Sequence, residues 1–188
     1  MVLSKLAEDV SNTTVATIKG ADDVLSALRG AVKNQVTGTF KDVTDIASSS
    51  LEGVADVVHG GVAAANKVGV SLTGAVKDTV ASAVLAVSET GGNVMTAASR
   101  AARGAVLGVA EVGGDVANAA ISAVEGAIES AGSVGASTMD AAREASLGAV
   151  KAADEISDEV GKTVRDALLT AASLPRDVVE KVVKGSEK

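Results

Sequence analysis

Gly74-Ala-Val-Lys77 decides the fold, because this block recurs along the chain at regular distances. It returns as Gly30-Ala-Val-Lys33 and Gly148-Ala-Val-Lys151, with variants at Gly104-Ala-Val-Leu107 and Gly126-Ala-Ile-Glu129. Positions 30 and 74 are 44 residues apart, and 104, 126 and 148 follow at steps of 22, so these distances are multiples of eleven. The step from 74 to 104 is 30, three residues short of 33. The sequence therefore predicts an eleven-residue repeat with one phase skip, near residues 96–103.

One position of the repeat is aliphatic along almost the whole chain. Eleven residues in three turns give about 3.67 residues per turn, close to the helical period of about 3.6, so residues eleven apart share one helix face. A helix with this repeat is near-straight or slightly right-handed. The position is occupied in order by Val10, Ala21, Val32, Val43, Val54, Ala65, Val76, Val87 and Ala98, then after the skip by Val106, Ala117, Ile128, Met139, Val150, Gly161, Ala172 and Val183.

This period predicts an all-α protein of long amphipathic helices that assemble side by side with other copies or on lipid. An ordinary helical bundle shows the same apolar period, because each helix buries one face, and it stays open as an alternative. Two features favour assembly with other copies or on lipid over an ordinary helical bundle. The apolar arc covers about half of the circumference, wider than a coiled-coil seam, and its residues are mostly Val, Ala and Gly.

The distribution of charge divides the chain. We predict a lead-in at residues 1–7, a repeat region at 8–174 and a short charged helix at 175–188, because Pro175 cannot continue a helix. Residues 57–139 carry ten charged side chains in 83 positions, whereas residues 140–188 carry eighteen in 49. The centre, 57–139, is therefore expected to have the widest apolar face.

Glycine makes the isolated helix weak. The chain has 20 Gly, and each Gly inside a helix costs about 1 kcal/mol relative to Ala. Contact with lipid or with other helices must therefore supply the ordering free energy. The glycine pairs are predicted hinges, at which a long helix could fold into hairpin arms: Gly60 and Gly61, Gly91 and Gly92, Gly113 and Gly114.

The composition excludes most chemistry. The chain has no Cys and a single His, His59, so disulfides, thiolate catalysis and most zinc sites are excluded. We find no catalytic, cofactor-binding or metal-binding motif, and we expect a non-enzymatic protein in which His59 is partly exposed. A net charge of −7 disfavours nucleic acid. No apolar run approaches the roughly 20 residues of a membrane span. We expect a cytoplasmic protein, with peripheral contact to a lipid surface.

The stretch from Val54 to Val62 and the Gly-Ala-Val-Lys blocks resemble the eleven-residue repeats of α-synuclein and of perilipin-type lipid-droplet coat proteins. Hendecad coiled coils and late-embryogenesis-abundant proteins share the period. The resemblance covers nearly the whole chain and rests on period and composition. It implies a helix that covers lipid. The Lys-Thr-Lys-Glu-Gly-Val core of synuclein is absent. Only some repeats carry a flanking Lys, and the net charge is −7, which favours packing defects or neutral lipid over anionic lipid as the partner.

Two functions follow as expectations. In the first, a non-enzymatic structural protein covers or encloses apolar lipid, either a membrane surface or neutral lipid, with its Val/Ala/Gly face. In the second, the chain self-assembles into a coiled coil, tube or filament through protein contacts only. The expected partners are lipid, other copies of the chain, or both, and we expect a homo-oligomer without cofactors. The predicted contact face contains Val32, Val43, Val54, Val76, Val80, Val87, Val106, Ile121, Ile128 and Val150.

Overall fold

The computed structural model of this protein describes residues 21–41 and 49–185. These residues form helices and no strand, which confirms the predicted all-α class. Residues 1–20, with the predicted lead-in, and Val43 lie outside the described residues. The helices are α1 (Ala21–Lys41), α2 (Ser49–Lys67), α3 (Leu72–Glu89), α4 (Val94–Glu111), α5 (Val116–Ser133), α6 (Thr138–Ile156), α7 (Asp158–Thr170) and α8 (Arg176–Gly185).

The helices are shorter than the repeat predicts, because a turn follows every second block of eleven. Helices α3 to α6 begin 22 residues apart, at Leu72, Val94, Val116 and Thr138. A polar residue precedes each start at the same spacing, and three of these residues cap the helix. The side chains of Asn93, Asp115 and Ser137 accept backbone N–H bonds at 3.0, 3.0 and 3.2 Å. Such caps satisfy N–H groups that have no partner within the helix.

A left-handed glycine follows each helix from α2 to α5. Gly69, Gly91, Gly113 and Gly135 have φ between 70° and 76°, a conformation that Gly adopts without steric cost. After α4, the N–H of Gly114 donates to Val109 O at 2.9 Å, which closes the helix end in a Schellman motif. The N–H of Gly113 also donates to Ala110 O at 3.0 Å, and two equivalent backbone bonds close each of α2, α3 and α5.

The predicted hinges are therefore only partly in the right place. Gly91, Gly92, Gly113 and Gly114 lie in turns, but Gly60 and Gly61 lie inside α2, so the chain does not break there. Gly61 is instead buried, and a Cβ on it would stand 2.9 Å from the methyl group of Thr79. A glycine pair marks a turn here only where one glycine takes positive φ.

The predicted phase skip at residues 96–103 falls within α4, which continues without interruption. The apparent skip arises because the alignment matches two glycines that occupy different positions in their helices. Gly74 is the third residue of α3, whereas Gly104 is the eleventh residue of α4. In the 22-residue unit, Gly104 corresponds to Ser82, and the register then needs no skip.

Helices two apart in the chain lie parallel and very close. Gly104 in α4 packs on the backbone of Ala55 in α2, and Gly108 packs on His59. Both pairs are 49 residues apart, so both helices run in the same direction. Gly126 and Gly148 make the same contact with Lys77 and Ser99, again 49 residues away.

The helices form a two-layer array. Each helix from α1 to α6 packs on the next helix and on the one after it, and none in the described ranges contacts a helix further along. Accordingly, α2, α4 and α6 lie in one layer, and α1, α3, α5 and α7 lie in the other. Arrays in which each unit contacts only its neighbours are typical of repeat proteins.

The C-terminal part departs from the 22-residue spacing. Ser157 separates α6 from α7, and its side chain accepts the N–H of Val160 at 3.2 Å. This break was not predicted from the sequence. Helix α7 ends at Thr170, and α8 begins directly after Pro175 and packs on α6 and α7. Its Val179, Val182 and Val183 are buried, so this charged helix covers the last part of the core.

Candidate functional site

The predicted contact face lies inside the folded chain. Ile121 and Ile128 are half-buried and pack against the core, and Val43 lies outside the described residues. The other members are at most 2% exposed and belong to one continuous core: Val32, Val54, Val76, Val80, Val87, Val106 and Val150. Neighbouring helices of the same chain cover the face that the sequence assigned to lipid or to other copies.

Small residues let the layers approach closely. The core is mainly Ala and Val, and Leu28 and Leu168 are its largest fully buried side chains. Hydroxyls within it bond to their own helix: Thr79 donates to Ala75 O at 2.5 Å, and Ser130 donates to Gly126 O at 2.8 Å. Such bonds satisfy buried polar atoms without a partner from another helix. In the described chain only the hydroxyl of Ser146 is buried without a partner.

Three of the ion pairs that connect helices two apart share a second constant spacing. His59 pairs with Glu111. Lys77 pairs with Glu129 at 3.0 Å, and Arg103 pairs with Glu155 at 2.7 Å. Each pair spans 52 residues, three more than the glycine contacts. These pairs therefore fix the same parallel register at the surface that the glycines fix in the interior.

The hydrogen bond and the charge of Glu129 raise the pKa of Lys77 above its ordinary value of 10.5. His59, expected to be partly exposed, is half-buried and pairs with the carboxylate of Glu111. These pairs were not predicted from the sequence, because they join residues that lie 52 positions apart. The constant spacing is nevertheless present in the sequence and could have revealed them.

A polar groove crosses the outer surface of the layer formed by α2, α4 and α6. Its volume is about 590 Å³. The floor is the tightly packed backbone at Ala55 and Gly148, and the hydroxyl-bearing residues Thr96 and Ser99 stand on α4. Six charged residues complete the lining: Asp56, Arg100, Arg103, Glu144, Lys151 and Glu155. This groove was not predicted from the sequence, because its residues come from three separate helices.

The outer surface exposes few large apolar groups. Among the described residues, Met139 and Ile156 are the exposed large hydrophobic side chains, at 47% and 38%. No helix described here combines the length and the apolar composition that crossing a membrane would require. Within residues 21–41 and 49–185, no three His, Asp or Glu side chains come together in a way that could hold a metal ion.

Comparison of the chain with known protein families, with curated proteins and with solved structures gives no match.

Proposed function

We propose that this chain is a non-enzymatic structural protein, a helical array held together by protein–protein contacts alone. One observation supports this most directly: the apolar face is covered by the chain's own helices. Val76, Val80 and Val87 are 0% exposed. Because the chain's own helices bury this face, no broad apolar area remains for contact with lipid.

The packing energy is consistent with this role. Burying a Val side chain contributes roughly 1.5–3 kcal/mol, and the core has more than ten buried Val. This intramolecular burial offsets the low helix propensity of the Gly-rich sequence, because tertiary contacts supply what propensity lacks. Neither lipid nor a second copy is needed to order the helices in this proposal.

The test is helix content in lipid-free buffer across a concentration series. We expect circular dichroism to show a highly helical protein at submicromolar concentration, unchanged by dilution or by added vesicles. Light scattering on the same samples gives the particle mass and tests the homo-oligomer that the sequence predicts. Helicity that is absent in buffer and appears only with lipid would overturn the proposal.

Lipid coating is a second candidate, favoured by the composition of the core. Its small side chains hold the layers together by many weak contacts, and its buried hydroxyls bond only within their own helices. The layers are joined by turns at Gly69, Gly91, Gly113 and Gly135. Opening at these turns would present the Val/Ala/Gly face to lipid, where it would fill shallow packing defects. The synuclein-like and perilipin-like pattern supports this candidate.

Cosedimentation with vesicles or lipid emulsion separates the candidates. If the chain coats lipid, its binding to vesicles or emulsion should persist or strengthen at high salt, because salt does not screen the burial of apolar side chains. A parallel sample carrying Val76→Asp and Val87→Asp should lose binding, since both substitutions lie on the face. Absence of wild-type protein from the lipid fraction at every salt concentration would eliminate this candidate.

A further inference from the structure

The groove on α2, α4 and α6 has an ordered arrangement of charge. Helices α4 and α6 run parallel, with Gly148 opposite Ser99, a shift of 49 residues. With this shift, Lys151 lies level with position 102 of α4, between Arg100 and Arg103. The rise of about 1.5 Å per residue then puts Lys151 within about 3 Å of both arginines along the helix axis. Three cationic residues therefore share the middle of the groove.

The acidic residues lie towards its two ends. By the same shift, Glu144 is level with position 95, before the first arginine. Asp56 in α2 is level with position 105, beyond the second arginine, because Ala55 lies opposite Gly104. Glu155 lies at this second end and is bonded to Arg103 through both carboxylate oxygens, at 3.3 and 2.7 Å.

Two of the central cations are left without an acidic partner. Within the described chain, neither Arg100 nor Lys151 is in an ion pair. Thr96 and Ser99 stand beside Arg100 on α4 and add hydroxyl donors to the same wall. A guanidinium fork, an ammonium group and hydroxyls are the donors that proteins use to bind tetrahedral oxyanions.

We propose that this groove binds a small phosphate-class anion at its centre, held by Arg100 and Lys151 with the hydroxyls of Thr96 and Ser99. The anion is either free phosphate or the phosphate of a lipid head group. The acidic ends restrict the site to a compact anion, because a long polyanion such as nucleic acid would pass over Asp56 and Glu144. The site goes beyond the structural role proposed above, but it rests on the helical array, because α2, α4 and α6 must pack together to form the groove.

The first experiment titrates inorganic phosphate into lipid-free protein and follows binding by calorimetry or by phosphorus NMR. The double variant Arg100→Gln/Lys151→Gln should bind at least about tenfold more weakly, because it loses both charge-assisted donors. Lys162→Gln/Lys181→Gln removes the same charge from exposed positions outside the groove and serves as the matched control. Circular dichroism of each variant verifies that the fold is intact.

A second double variant, which should strengthen phosphate binding instead of weakening it, makes the test more specific. Asp56→Asn/Glu144→Gln removes the flanking negative charge and should tighten phosphate binding several-fold, an effect that mere unfolding cannot produce. Vesicles containing phosphatidic acid form the second arm. Binding to these vesicles without binding to free phosphate, lost in the Arg100/Lys151 variant, would identify the head group as the source.

Two results would overturn the proposal. One is wild-type protein that binds neither inorganic phosphate nor the vesicles. The other is binding that the control double variant weakens as much as the groove variant does, since the effect would then follow net charge alone. Neither result affects the helical-array proposal, which is tested separately by the helix content in phosphate-free and lipid-free buffer.

Discussion

Gly126 in α5 lies so close to the carbonyl oxygen of Lys77 in α3 that an added Cβ would stand 2.5 Å from that oxygen. Gly104 and Gly148 make equivalent approaches one helix earlier and one helix later. The parallel packing of helices two apart thus depends on residues without a side chain. The same glycines that lower the helix propensity of the isolated chain allow the helices of the array to pack in close contact.

Gly126→Ala should therefore destabilise the protein, although Ala favours helix. Overpacking against backbone costs about 1–3 kcal/mol, more than the gain of about 1 kcal/mol in helix propensity. Gly30→Ala in α1 is the matched control, because nothing lies within 4 Å of its added Cβ. It should stabilise slightly. Urea unfolding measures the change in the free energy of unfolding for both variants. Equal changes would contradict the close packing at Gly126.

Val76→Asp should unfold the array or nearly so. The side chain is 0% exposed, and the variant both loses apolar burial of roughly 1.5–3 kcal/mol and buries a carboxylate without a partner, which adds several kcal/mol. Lys77→Ala on the adjacent surface should cost less than about 1 kcal/mol. Thermal unfolding followed by circular dichroism compares the two. Similar losses from both would show that the face is wrongly assigned.

Deleting one 22-residue unit should be tolerated better than deleting eleven residues. Removal of residues 94–115 joins the cap Asn93 to the start of α5 and leaves every remaining helix whole. Removal of residues 105–115 shortens α4 and eliminates its turn glycine. We expect cooperative unfolding only for the 22-residue deletion. A continuous eleven-residue-repeat helix would tolerate both, so a stable, cooperative eleven-residue deletion would contradict the helix–turn unit.

The pair of Lys77 with Glu129 should give a small stability contribution that disappears in alkali. The pKa of Lys77 is raised in the folded state above the ordinary 10.5. The contribution is therefore complete below the unfolded-state pKa and is lost as pH rises through the folded-state value. Both side chains are largely exposed, so the effect at neutral pH is at most about 0.5 kcal/mol.

The measurement for this pair is urea unfolding of wild-type protein and Lys77→Met between about pH 8 and about pH 12. Their difference in stability should shrink towards zero at the alkaline end. Lys162→Met, at an exposed position outside the ion pairs, controls for general charge effects. A difference between wild type and Lys77→Met that grows with pH would be the wrong sign and would contradict the pairing.

The sequence correctly predicted the all-α class, because local periodicity governs helix formation. Residues such as Val76 and Val87, eleven apart, fall on one face of any α-helix, and their burial follows from their aliphatic character. The turns were predicted at Gly91 and Gly113 but missed at Gly69 and Gly135, where the glycine does not belong to a pair. The spacing of these four glycines, 22 residues each time, was the available signal.

The groove and the ion pairs could not be predicted from local pattern. Arg100 and Lys151 belong to different helices, and Lys77 meets Glu129 only because two helices pack at a fixed shift. That shift is set by where glycine permits backbone contact, as at Gly148 on Ser99. No single helix carries this information, because each contact depends on two surfaces at once.

The sequence by itself determined that this chain forms helices with one small-residue apolar face, because hydrophobic periodicity and propensity act along a single segment. Only the tertiary structure decided what covers that face. Lipid, another copy and the chain's own next helices all remove Val76 and Val106 from water, and the hydrophobic effect has no direction that distinguishes them. The choice came from the left-handed glycines, which fold the chain back every 22 residues, and from Gly104, Gly126 and Gly148, which let the parallel helices touch.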